Sequence, residues 1–157
     1  MNLPIGETEA DVFSRILEKA QTHPQLAVYL SLYADSLSYA DTYVTDISIE
    51  TRLLKTWYLL ETMALREGGG KKQKVKALFA RFSLHVETDY QGHQGYDLID
   101  IAYGWRNVIA HSGGCQAAVV PRDIRFCRQF GQGLHQLVHD LSECTAFLLY
   151  AYVDSLV

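Results

Sequence analysis

The sequence predicts an all-α protein, a bundle of about six helices formed as one domain over residues 1–157. Apolar residues recur three or four positions apart along most of the chain, as in helices with one buried face. Prolines and glycine clusters fall between these segments, where they open one helix or end another. The alternating pattern of a β-strand is not sustained anywhere in the sequence.

Three helices are expected in the first half of the chain. The acidic residues between Glu7 and Asp11 favour a helix start because they complement the helix dipole, and this helix runs to about Gln21. Pro24 opens the second helix, which continues to about Ala40.

The third helix, over residues 49–66, is apolar almost all the way round, which predicts a position at the centre of the bundle. A polar stretch precedes it and offers Asp46 or Ser48 as the N-cap. The glycines at 68–70 end it.

The second half of the chain is expected to hold three more helices. Residues 71–84 form an amphipathic helix, and residues 96–112 form a second one that stops at the paired glycines 113 and 114. Pro121 opens a last helix that runs to about Ser155, with a kink where Gly131 and Gly133 weaken it.

Composition narrows the function. The 157 residues are 48% hydrophobic and 20% charged with a net charge of −4, so general binding of polyanions is excluded and any nucleic-acid contact must be local. The three cysteines form no CxxC pair, which favours a reducing compartment. No apolar stretch is long enough to span a membrane, and residues 1–6 lack the pattern of a signal peptide. We therefore expect a cytoplasmic protein with no membrane contact.

Three polar residues share one face of the fifth helix. At 100° per residue, Asn107 and His111 lie one turn apart, and Arg106 precedes His111 by about 7.5 Å along the axis. The apolar side chains form a stripe on the opposite side of this helix: Leu98, Ile101, Ala102, Trp105, Val108 and Ile109. A guanidinium, a carboxamide and an imidazole are therefore expected on a surface that the core does not use.

The run from Arg106 to His111 resembles the signature of the HEPN superfamily, which is Arg, a polar residue that is often Asn, three variable residues and His. The run Trp57-Tyr58-Leu59-Leu60-Glu61 resembles the Trp-x-x-Leu-Glu pattern on an earlier helix of Apea-like members. Ser112 stands where those members often carry a glycine. The resemblance covers residues 50–115 and implies a HEPN-like helical domain.

The resemblance implies metal-independent cleavage of RNA, without a cofactor, by Arg106, Asn107 and His111. The expected products carry a 2′,3′-cyclic phosphate and a 5′-hydroxyl. An imidazole can accept or donate a proton near neutral pH, and a guanidinium binds two phosphate oxygens at once. HEPN proteins are typically homodimers with a composite site, and the resemblance points to a toxin or antiviral-defence protein. Its further partner would be a protein or nucleotidyltransferase antitoxin.

Other residues are candidates for supporting roles. Glu61 is expected either to hold Arg106 or to be an ordinary exposed carboxylate. Asp100 and Tyr103 extend the polar face of the motif, and Tyr103 is a candidate RNA contact. Four residues of a basic run are either an RNA-binding strip or a solvated helix face: Lys71, Lys72, Lys74 and Lys76.

Two alternatives to a ribonuclease remain. One is a non-catalytic HEPN module that binds a nucleotide or a protein partner such as an antitoxin. The other is a structural helical domain with an accidental motif, which requires the motif face to be buried. His135, His139 and Glu143 recur every four residues and could present metal ligands, but they drift away from the apolar stripe toward solvent, so no metal site is expected.

Overall fold

The computed structural model describes residues 8–37 and 47–157. Over these residues the chain forms seven α-helices, a 3₁₀ turn at Tyr90–Gly92 and no strand, which confirms the all-α prediction. None of the helices in these two segments is long and apolar enough to cross a lipid bilayer. In chain order the helices are α1 (Glu9–Thr22), α2 (Pro24–Leu37), α3 (Ile47–Met63), α4 (Lys71–Arg81), α5 (Leu98–Ser112), α6 (Pro121–Phe130) and α7 (Leu134–Ser155).

Helix α3 lies at the centre of the bundle, as its apolar surface predicts. It packs against α2, α4, α5 and α7. Trp57 and Leu60 of this helix are completely buried, and they belong to one cluster of apolar side chains to which α2–α7 all contribute. Burial of large apolar side chains on several faces fixes α3 in place and makes it the support for α5.

Helix α5 carries the motif, and side chains at its start set its first turn. Asp97 is the N-cap, and its carboxylate accepts a hydrogen bond from the backbone N–H of Asp100 at 2.8 Å. The Asp100 carboxylate returns a bond to the N–H of Asp97 at 3.0 Å, which completes a capping box. The helix ends at Gly113, whose φ of 75° is a left-handed conformation that glycine adopts without strain.

Three predictions about helix ends are wrong. The third helix ends at Met63 rather than at residue 66. The expected kink in the last helix is a complete break, because α6 stops at Phe130 and Gly133 adopts a left-handed φ of 98° before α7 begins. The described residues therefore form seven helices, which agrees with the predicted bundle of about six. The fourth helix ends at Arg81 instead of residue 84, since Ser83 also has a positive φ of 54°.

The start of α3 is only partly described. Ser48 falls inside the helix, so it is not the N-cap, and Asp46 lies outside the described residues. The expected extension of the second helix to Ala40 also lies outside them, since the described part of α2 ends at Leu37.

Candidate functional site

The motif lies on the side of α5 that faces away from the core. All six side chains of the predicted apolar stripe are buried, whereas His111 is exposed and Arg106 and Asn107 are half-buried. An accidental motif in a structural domain would require this face to be covered. Within the described residues the motif face remains accessible. The alternative of an accidental motif, which requires a buried face, is therefore not supported.

Two neighbours position the guanidinium of Arg106. Its Nη1 donates a hydrogen bond to Oδ1 of Asn107 at 3.1 Å, and its Nη2 lies 4.0 Å from Oε1 of Glu61 on α3. That Glu61 oxygen is buried and has no hydrogen-bond partner within the described residues, so Arg106 is the cation that compensates its charge. The expected contact between Glu61 and Arg106 is thus present at ion-pair distance, and 22% of the Arg106 side chain remains exposed.

His111 stands apart from this pair on the last turn of α5. It has no hydrogen bond or ion pair with any part of the chain that the structure describes. The structure therefore brings Arg106 and Asn107 into contact with each other and leaves the imidazole of His111 free in solvent. A solvent-facing imidazole can accept a ligand or a second protein surface without first breaking an internal bond.

The residues after the motif tie α5 to α6. Ser112 donates a hydrogen bond to Oδ2 of Asp123 at 3.3 Å, and Arg122 Nε lies 3.7 Å from Oδ1 of the same carboxylate. Asp123 is buried at the first turn of α6, where a negative charge is favourable. Ser112 therefore helps to connect the two helices.

Two of the four lysines of the basic run, Lys72 and Lys76, form ion pairs within the described residues, and the other two do not. Lys76 Nζ lies 2.7 Å from Asp97 Oδ2 and 2.9 Å from Asp100 Oδ2, and Lys72 Nζ lies 2.8 Å from Asp100 Oδ1. These ion pairs hold α4 against the first turn of α5. Partial burial raises the pKa of the Asp100 carboxyl. The hydrogen bonds from Lys72 and Lys76 have a larger, opposite effect, so the pKa of Asp100 lies well below its usual range. Lys71 and Lys74 form no ion pair with the described residues.

The supporting residues predicted beside the motif have other contacts. Tyr103 packs on Trp57 with the ring centroids 5.5 Å apart, so one side of its ring belongs to the core. Asp100 faces the lysines of α4 rather than Arg106. Both residues therefore stabilise the position of α5, and neither forms a side-chain hydrogen bond or ion pair with Arg106 or Asn107.

A groove between α5 and α6 includes residues that sequence reasoning missed. A hollow of about 230 Å³ adjoins Asn107 and is walled by Gly104, Arg122 and Phe126. A second hollow of about 330 Å³ shares Arg122 and Phe126 and adds Arg125. The signal available in the sequence was the spacing of Arg122 and Arg125 on one amphipathic helix, which places both on the same face.

The potential metal ligands that lie close together on α7 are not the three residues that the sequence spacing indicates. His139, Asp140 and Glu143 bring ligand atoms within 4.8 Å of one another, and His135 is not part of this group. The Asp140 carboxylate accepts hydrogen bonds from Tyr90 at 2.5 Å and Gln136 at 2.7 Å. Both oxygens of Asp140 thus accept hydrogen bonds within the protein, and the side chains of His139 and Glu143 are exposed.

No family model, curated protein or solved structure matches this chain. The resemblance to HEPN proteins therefore rests on the run from Arg106 to His111 and on the shorter pattern from Trp57 to Glu61. The structure adds that the ends of these two patterns meet, since Glu61 and Arg106 lie at ion-pair distance across α3 and α5.

Proposed function

We propose that this protein is a metal-independent endoribonuclease whose site is formed by Arg106, Asn107 and His111. The observation that carries the proposal is that the guanidinium of Arg106 is held on an accessible face by Asn107, which lies one helical turn before His111, an exposed residue with no partner in the described chain. A fixed cation beside a free imidazole suits the transfer of protons at a phosphodiester.

The chemistry uses a nucleophile that RNA itself carries. A base removes the proton from the ribose 2′-hydroxyl, whose oxygen attacks the adjacent phosphorus. The bond from phosphorus to the 5′-oxygen then breaks, and an acid protonates that oxygen. The products are a 2′,3′-cyclic phosphate and a 5′-hydroxyl. Arg106 would stabilise the negative charge that builds on the non-bridging oxygens, since its guanidinium has five N–H donors and uses one of them on Asn107.

A second copy of the chain would complete the site. The base and the acid act on opposite sides of the phosphorus, and one imidazole cannot easily serve both. A two-fold homodimer supplies a second His111 and a second Arg106. Support for this interface comes from Tyr58 and Leu65, which are 59% and 67% exposed and flank Glu61 along the chain. Large exposed apolar side chains next to a polar pair are typical of a surface that is covered by a partner.

A non-catalytic binding module is the second candidate. The contacts of Arg106 with Asn107 and Glu61 favour it, because a guanidinium so engaged also serves to join α3 and α5. In either case we place the protein among toxins or antiviral-defence proteins, with a protein or nucleotidyltransferase antitoxin as a further partner. Catalysis separates the two candidates, since a binding module does not require His111.

The test is cleavage of RNA by the purified protein in the presence of EDTA. Arg106→Ala and His111→Ala should each lower the cleavage rate by about 10²-fold or more, the usual contribution of an acid–base or charge-stabilising group. His135→Ala and Arg128→Ala are matched controls, because both side chains are exposed and lie outside the motif. Equal cleavage by all four variants would contradict the proposal and indicate a contaminating nuclease.

A further inference from the structure

We propose that the groove between α5 and α6 binds a single strand of RNA and leads it to the Arg106 site. Arg125 and Arg122 would contact phosphates, and the rings of Tyr96 and Phe126 would face the bases. This inference rests on the proposed function for its ligand, but it concerns residues that the catalytic motif does not contain.

The groove is continuous with the motif. The hollow of about 230 Å³ reaches Asn107, which is hydrogen-bonded to Arg106, and it shares Arg122 and Phe126 with the hollow of about 330 Å³. The larger hollow extends to Tyr96 near the start of α5. A strand in this groove would therefore run along α5 and deliver a phosphate beside the motif.

The charges along the groove leave an excess of positive charge. Two carboxylates line it, but Asp123 is matched by Ser112 and Arg122, and Asp100 is matched by lysines of α4. Arg125 is exposed and forms no ion pair with any described acidic residue, and 76% of the Arg122 side chain is exposed. Arg122 is already paired with Asp123, so Arg125 supplies the excess charge. In a protein with a net charge of −4, Arg125, unpaired within the described residues and beside the largely exposed Arg122, is complementary to a phosphate backbone.

Aromatic rings form the remaining wall. Phe126 packs against Phe130 with centroids 4.7 Å apart, and Tyr96 approaches the same Phe130 at 5.3 Å. Tyr96 is 44% exposed, so part of its ring is available to a ligand. Unstacked bases of single strands stack on such rings irrespective of sequence, whereas the bases of a duplex are already stacked. Alternating guanidinium and ring surfaces therefore favour a single strand over a duplex or an acidic protein segment.

Binding can be measured separately from cleavage with a fluorescein-labelled 12-nucleotide pool of random 2′-O-methyl RNA, which lacks the nucleophile. By fluorescence anisotropy, Arg125→Ala should weaken binding by about tenfold and reduce the slope of log K against log salt by about one. Tyr96→Ala should weaken binding about fivefold or more with the salt slope unchanged, because stacking releases no counterions. Arg128→Ala removes the same charge from α6 outside the groove and should leave binding unchanged.

Each outcome bears on the groove. Equal losses for Arg125→Ala and Arg128→Ala, or no binding of the wild-type protein, would overturn the inference. Competition by polyglutamate as effective as that by unlabelled RNA would also overturn it and point to an acidic protein partner. If Arg125→Ala binds normally while unmodified RNA is still cut, the groove is wrong and the proposed ribonuclease stands. If the groove variants behave as expected and no RNA is cut, the ribonuclease is wrong and the groove stands.

Discussion

Substitution of Gly104 by alanine tests the packing that positions the motif helix on α6. An ideal Cβ at residue 104 would lie 2.2 Å from Cε2 and 2.4 Å from Cζ of Phe126. Carbon atoms in contact are about 3.5–4.0 Å apart, so the ring would have to move by about 1 Å or more. Trp105 and Phe130 restrain that movement, since their rings lie 5.7 Å and 4.7 Å from the ring of Phe126.

The expected magnitude follows from two opposing effects. Overpacking costs about 1–3 kcal/mol, and replacing a mid-helix glycine by alanine returns about 1 kcal/mol of helix propensity. Gly104→Ala should therefore lower the free energy of unfolding by about 1 kcal/mol, which lowers Tm by about 2–4 °C in a chain of this size. Phe126→Leu removes Cε2 and Cζ, so in that background Gly104→Ala should be neutral or stabilising by up to about 1 kcal/mol.

The free energy of unfolding can be measured by urea denaturation, followed by tryptophan fluorescence, for four proteins: the wild type, Gly104→Ala, Phe126→Leu and the double variant. Gly104→Ala should be destabilising when residue 126 is phenylalanine, and neutral or stabilising when residue 126 is leucine. A substitution that destabilises both backgrounds by the same amount would refute the close approach of α5 and α6 at this position.

Two further predictions concern the first turn of α5 and the exposed face of α3. Asp100→Asn should lower the free energy of unfolding at pH 7 by about 1–3 kcal/mol through the loss of charged hydrogen bonds. Because the folded pKa of Asp100 is below its unfolded value, this stabilisation is complete above about pH 5 and is lost as the pH falls through the unfolded pKa toward the folded one. The difference in urea midpoint between wild type and variant should shrink between pH 5 and pH 2, and a constant difference would contradict the ion pairs. Tyr58→Glu, at an exposed position, should convert a dimer to a monomer in light scattering and abolish cleavage, whereas Phe13→Glu, equally exposed on α1, should do neither. A monomeric Tyr58→Glu variant with full activity would contradict the composite site, and a variant that remains a dimer would contradict an interface at Tyr58.

The motif helix was predictable from sequence because its signals are local. The spacing of its apolar residues and the glycines at 113 and 114 each depend on neighbours within a few positions. The same holds for the placement of Arg106 and His111 on an accessible face. The pairing of Arg106 with Glu61 is one of the two alternatives that the sequence offers, because Glu61 interrupts an otherwise apolar helix; the other is an ordinary exposed carboxylate.

Features that depend on distant parts of the chain were not predictable. The bonds of Lys72 and Lys76 to the first turn of α5 exist only once α4 has docked, so the sequence showed a basic run and not its partners. The groove depends on the close approach of Phe126 to Gly104, which are 22 positions apart in the sequence. The sequence predicts a kink at Gly133, whereas the structure has a complete break there. Glycine adopts helical and left-handed conformations with similar ease, so the choice between them depends on packing.

The central claim is that the Arg106–His111 site cuts RNA through the RNA's own 2′-hydroxyl. Two random-sequence pools, one of RNA and one fully 2′-O-methylated, should be incubated with the wild-type protein in EDTA and their ends analysed. Only the RNA pool should be cut, with 2′,3′-cyclic phosphate and 5′-hydroxyl ends, and His111→Ala should leave it intact. Cleavage of the methylated pool, 5′-phosphate ends, or no cleavage of either pool would contradict the account.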